Sequence, residues 1–167
     1  MTKKISRTFD EYIVSNASPQ NQAVTAFASK VPEVLTSLYH FNQVHNTQAS
    51  KAGRATVMSG STERFAYATS GAVTLLKAVN SLRSTYKPGD VSKTDGEVLG
   101  QRFLATPALA AGALALIENT TNFTLEDVFG KTLSNVIRGT ASTAIASGAF
   151  YGAPQNLSVA LSSQKKN

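Results

Sequence analysis

The chain has 167 residues, no Cys and no Trp, and a net charge of +6 from 16 Lys+Arg against 10 Asp+Glu. That length suits one domain with its own core, and zero Cys excludes a disulfide framework, a thiolate metal site and a Cys nucleophile. Only 16% of residues are charged, against about 25% in ordinary domains, and Ala, Ser and Thr fill the difference.

In chain order, Lys3, Lys4 and Arg7 come before any acidic residue and read as a flexible basic tail. Phe9-Asp10-Glu11 interrupts any apolar run, so no secretory signal is expected. Thr8-Phe9-Asp10-Glu11 is a capping box that opens a short helix to about Val14. Ser18-Pro19 reads as an N-cap with proline at the first helical position. The helix after it carries Val24, Phe27, Ala28 and Val31, and Pro32 kinks it or starts another. Val34, Leu35, Leu38, Phe41 and Val44 then hold a helical stripe. The polar segment 46–60 reads as a loop separating an N-terminal hairpin, 1–45, from a main bundle, 61–150.

Ser61 opens the clearest helix, with an apolar face through Phe65, Leu75, Leu76, Val79 and Leu82 to Tyr86. Pro88-Gly89-Asp90 ends it in a turn. Thr94-Asp95-Gly96-Glu97 is a second capping box, and Thr106-Pro107 is expected to restart the helix. Leu104–Ile117 is the most apolar stretch. It is shorter than the roughly 20 residues a bilayer requires, so no membrane span is expected. Thr124 caps a helix whose expected buried face is Leu125, Val128, Leu133, Val136 and Ile137, with Arg138 in the last turn and Gly139 as the stop. The core expected from these two helices is Leu76, Val79, Val128, Leu133 and Val136. Ala141, Ala144, Ile145, Gly148 and Ala149 form a face of little bulk that admits a close helix, and the partner is expected either within the same chain or, as a subunit interface, on a neighbouring subunit. Residues 151–167 read as a C-terminal arm that ends in Lys165 and Lys166.

No constellation for chemistry emerges. His40 and His45 are five apart, which does not set two imidazoles on one helix face. Gly130-Lys131-Thr132 resembles the end of a phosphate loop, but Leu125 stands where that loop needs glycine. Asp10/Glu11 and Glu126/Asp127 each sit in a first helical turn, where complementing the helix dipole accounts for them. Lys3, Lys4, Arg7, Lys51, Arg54 and Arg64 are the candidate nucleic-acid contacts, since basic residues beside small ones suit phosphate. The short string Val136-Ile137-Arg138-Gly139-Thr140 is similar to a helix-end string in coat proteins of rod-shaped plant viruses. Those proteins are helical bundles that wrap RNA, and the likeness stops at this string.

The expected fold is all-α, a single domain over 1–167 built as a bundle of six to eight helices. The expected function is that of a non-enzymatic subunit of a large assembly, a virion above all, acting in the virion or the cytoplasm. Its partners would be copies of itself or other particle subunits, and no cofactor or small-molecule substrate is expected. The alternative is a basic packaging or nucleocapsid protein.

Overall fold

The structure is a computed structural model that describes residues 1–51 and 60–164. It is mostly helical with a small two-stranded sheet. In order the elements are β1 (Thr2–Ile5), α1 (Phe9–Asn16), α2 (Gln22–Ala28), α3 (Val31–Lys51), α4 (Ser61–Ser84), β2 (Val91–Thr94), α5 (Asp95–Thr120) and α6 (Leu125–Gln164).

Both capping boxes form. Thr8 Oγ1 accepts from the Glu11 amide at 3.2 Å while Glu11 Oε2 accepts from the Thr8 amide at 2.8 Å. Thr94 and Glu97 repeat the exchange at 3.2 and 2.6 Å. Ser18-Pro19 does not cap: α2 starts at Gln22, after a turn.

The described residues form six helices, α1 to α6, and the later ones run longer than expected. Helix α5 runs through Pro107, and α6 runs through Gly139 and Pro154. A proline removes one N–H from the helical ladder, but tertiary packing holds both helices continuous. In α6 the buried positions Ser134, Arg138, Ser142, Ile145, Ala149, Ala153, Asn156 and Ala160 keep steps of three and four throughout. Residues 151–164 are therefore helix and not an extended arm, and Ala160 closes on Val14 and Ala26 beside Leu157. The one bend in α6 is at Gly130, whose φ of 68° is left-handed and suits glycine. The loop expected over 46–60 begins later, because α3 continues to Lys51, and 52–59 lie outside the described residues.

The N-terminal tail is a strand. Residues Thr2 to Ile5 pair antiparallel with Thr94 to Val91. The Ser6 amide and hydroxyl extend the clip to the Lys87 and Pro88 carbonyls, each at 2.9 Å.

Polarity is inverted across the bundle. Gly71 and Gly112 mark the crossing of α4 and α5. A Cβ on Gly71 would stand 2.8 Å from the Gly112 carbonyl oxygen, and one on Gly112 would stand 2.7 Å from the Leu75 amide nitrogen. That approach turns Ala68, Thr74, Ala78, Ala105, Ala111 and Ala115 inward. The large apolar side chains then point out: Phe65 is 74% exposed, Leu76 68% and Phe103 75%. The expected core is corrected accordingly. Leu76, Val79, Val128, Leu133 and Val136 are all exposed. Hydrophobic periodicity located the helices, but the face that packs is the one with small side chains, because it permits the shortest distance between axes.

Candidate functional site

The interior holds charge where a domain of this size normally holds Leu and Ile. On α6, Arg138 is 1% exposed and makes a two-pronged contact with Glu118 of α5, at 2.7 and 2.6 Å. The Tyr39 hydroxyl donates to the same carboxylate at 2.7 Å, and the Leu125 amide at 2.6 Å. Burial works to raise the Glu118 carboxyl, but the hydrogen bonds from Arg138 and Tyr39 outweigh it and hold the group below the usual carboxylate range. Burial and the Glu118 charge push the Tyr39 phenol up. His40 is 0% exposed, with Nε2 3.0 Å from the Ala111 carbonyl oxygen. Burial pushes its imidazole down to about 4, so the ring is neutral at pH 7 and Nε2 donates. Hydroxyl pairs complete the polar interior, with Thr36 and Thr74 at 3.0 Å and Ser37 and Ser142 at 3.0 Å.

A second charged group surrounds a cavity of about 240 Å³ between α1, α4, α5 and α6. Asp10 and Glu11, expected only to complement a helix dipole, are buried in its wall. Lys30 forms an ion pair with Asp10 and reaches Glu33 at 3.8 Å. Lys77 lies 3.0 Å from Asp10 Oδ1 and 2.7 Å from Glu33 Oε1. Lys93 of β2 pairs with Glu11 and donates to Gln101 at 2.8 Å. Leu104, Ala105, Ile145 and Ala149 supply an apolar wall. Sequence reasoning missed this cluster. Its signal was Lys77, the lone charge in α4 between Arg64 and Arg83.

Of the candidate nucleic-acid residues, two lie beside acidic groups of the same chain. Lys3 lies 3.5 Å from Asp95 and Arg7 lies 3.0 Å from Asp90. Lys4 and Arg64 are exposed. The Lys51 side chain, Arg54, Lys165 and Lys166 lie outside the described residues. For the small face on α6, the structure supplies a partner within the chain, the first of the two expected. Ile145 and Ala149 are buried inside this chain, Ala141 and Ala144 are half-buried, and a Cβ on Gly148 would meet Leu104 of α5 at 3.6 Å. The small side chains serve the helix packing of the bundle itself.

The outward surface is a better candidate for contact. Val34, Leu38 and Phe41 on α3, Leu76 and Val79 on α4, Leu99 and Phe103 on α5, and Leu133, Val136 and Phe150 on α6 are all exposed. By length and composition alone, α5 is long and apolar enough to cross a membrane. Compared with protein-family models, curated proteins and solved structures, the chain has no match.

Proposed function

We propose that this chain is a non-enzymatic structural subunit of a large assembly, of the virion type, which packs through its outward apolar helix faces. The observation that carries this reading is the inverted polarity: large apolar side chains are exposed on every long helix while small and polar residues make up most of the buried positions. Extended apolar surface is costly in water and marks a face meant to be covered. A second copy of this chain suits that role, because the exposed faces meet apolar with apolar and ask for no complementary charge. The N-terminal strand fits the same reading, since a tail fixed to the bundle adds a defined surface for contact.

The packaging alternative has less support, because Lys3 and Arg7 already face acidic partners within the chain. A second reading, burial of the outward faces in lipid, is favoured by the length and apolar character of α5.

Light scattering of the purified full chain at low and high salt, with and without RNA, separates the three. Apolar packing between copies gives large particles that persist at high salt without nucleic acid. Phosphate-driven packaging gives particles that need RNA and dissolve steeply as salt rises. A chain that becomes monodisperse only in detergent or lipid, without forming closed particles, would replace the proposal with the lipid reading.

A further inference from the structure

A surface groove of about 540 Å³ lies between the start of α1, the end of α4 and the turn at Asp90. Its walls are tied together. The Phe9 amide donates to Asn80 Oδ1 at 2.7 Å, the Ser6 amide donates to the Lys87 carbonyl at 2.9 Å, and Arg7 pairs with Asp90 at 3.0 Å. Gly89 comes so close to the N-terminal segment that a Cβ there would stand 2.4 Å from Ser6 Cα. A site held open in this way loses little freedom when a ligand enters. Phe9 and Tyr12 form a ledge in the groove, 51% and 60% exposed. They are three apart on α1, so they share one helix face with Cβ atoms about 5–6 Å apart, close to the length of one pyranose unit. Unlike the outward apolar faces, this ledge is bordered by polar side chains, and chemistry fixes the direction of two amides among them. A backbone N–H donates only to an acceptor, so Asn80 turns Oδ1 to Phe9 and keeps Nδ2 as a donor for the groove. A carbonyl only accepts, so Asn16, whose Nδ2 reaches the Tyr12 carbonyl at 2.8 Å, keeps Oδ1 as an acceptor. The two ionised side chains of the groove, Arg7 and Asp90, face each other, so neither sign of ligand charge is favoured.

We propose that this groove binds a neutral pyranose sugar. The C–H face of the sugar lies on the Phe9 and Tyr12 rings, because the negative face of an aromatic ring attracts weakly positive C–H groups. Its hydroxyls, each donor and acceptor at once, meet Asn80 Nδ2 and Asn16 Oδ1 together. A nucleotide would also stack on the ledge, but its phosphate would find the Arg7 guanidinium engaged by Asp90. This inference is independent of the assembly reading, which rests on other faces of the bundle.

The test is saturation-transfer NMR on the full chain, which works at any particle size. The probes are the methyl pyranosides of galactose, glucose and mannose, with sorbitol and uridine monophosphate for comparison. Sorbitol carries similar hydroxyls without a rigid C–H face. At least one pyranoside is expected to show saturable transfer at millimolar concentration, strongest at its ring C–H protons, and sorbitol to bind at least about tenfold more weakly. Tyr12→Ala removes half of the ledge. Asn80→Asp keeps an oxygen for the Phe9 amide and removes the donor. Each is expected to lower pyranoside affinity at least about tenfold with the helical circular-dichroism signal retained. No saturable transfer to any of the three pyranosides would overturn the proposal. So would sorbitol binding as tightly as the sugars, transfer confined to uridine monophosphate, or folded variants that bind the sugar unchanged. The probe comparison uses the unaltered chain and decides the matter even where a variant does not fold.

Discussion

Arg138 and Glu118 show how a single pair can organise a bundle whose interior is polar. The guanidinium and carboxylate meet through two hydrogen bonds, and Tyr39 and the Leu125 amide use the remaining acceptor capacity. Removing one partner strands the other charge, which costs about 3–5 kcal/mol, whereas replacing both can be close to neutral. Arg138→Met is therefore expected to lower the urea midpoint sharply, and Arg138→Met/Glu118→Met to recover most of the loss. A double variant no more stable than the single one would show that the pair is not the source of the effect. His40 gives a pH dependence of known sign. Its folded value of about 4 lies below the ordinary 6.5, so the unfolded chain binds the proton first. The stabilisation is complete above about pH 6.5 and is lost as pH falls towards 4, at most about 3 kcal/mol for this shift. Glu118, also held low, erodes stability at more acidic pH in the same direction. His40→Phe is expected to flatten the stability profile between pH 6.5 and 4, as followed by thermal unfolding across that window.

At the scale of the element, the sequence discloses helix ends better than helix faces. The boxes at Thr8 and Thr94 depend on contacts three residues apart, so local reading finds them. The buried face of α4 depends on what α5 presents to it. Phe65, Leu76 and Val79 have the right spacing for a core stripe, yet Gly71, Thr74 and Ala78 take the inner position because they let the backbones touch. Hydroxyls could be buried only because Thr36 faces Thr74 and Ser37 faces Ser142, partners far apart in sequence. The charged cavity was illegible for the same reason, since Asp10, Lys30, Lys77 and Lys93 come from four separate segments. Gly112→Ala tests the close crossing. In an ordinary helix interior this change gains about 1 kcal/mol. Here the added methyl meets the Leu75 backbone, and a loss of about 1–3 kcal/mol is expected from overpacking. Leu133→Ala and Ile145→Ala form a matched pair. The exposed Leu133 should move stability by less than about 0.5 kcal/mol, while the buried Ile145 should cost about 2–5 kcal/mol. Equal effects in urea unfolding would return Leu133 to the core.

For the whole molecule, the outward apolar faces separate the stability of one chain from the stability of the assembly. Phe103 touches mainly solvent in the isolated chain. Phe103→Asp is expected to leave the unfolding midpoint of the single chain nearly unchanged and to abolish large particles in light scattering. Particles that form normally with this variant would place the contact surface away from α5. The matching change at Phe65, on the neighbouring helix, tells whether one continuous surface or two separate faces meet other copies.

The clip between β1 and β2 also bears on how the chain is made. Strand β1 pairs with a segment some ninety positions later, so at a synthesis rate of about 5–20 residues per second it waits several seconds for its partner. During that interval Ile5 has no sheet to cover it, and α1 has not met Lys77 or Lys93. The N-terminal quarter of this protein is therefore a late-folding region despite being synthesised early. Nascent-chain proteolysis should find it open until β2 has emerged, and an N-terminal fusion partner that holds Met1 away from Asp95 should delay its protection further.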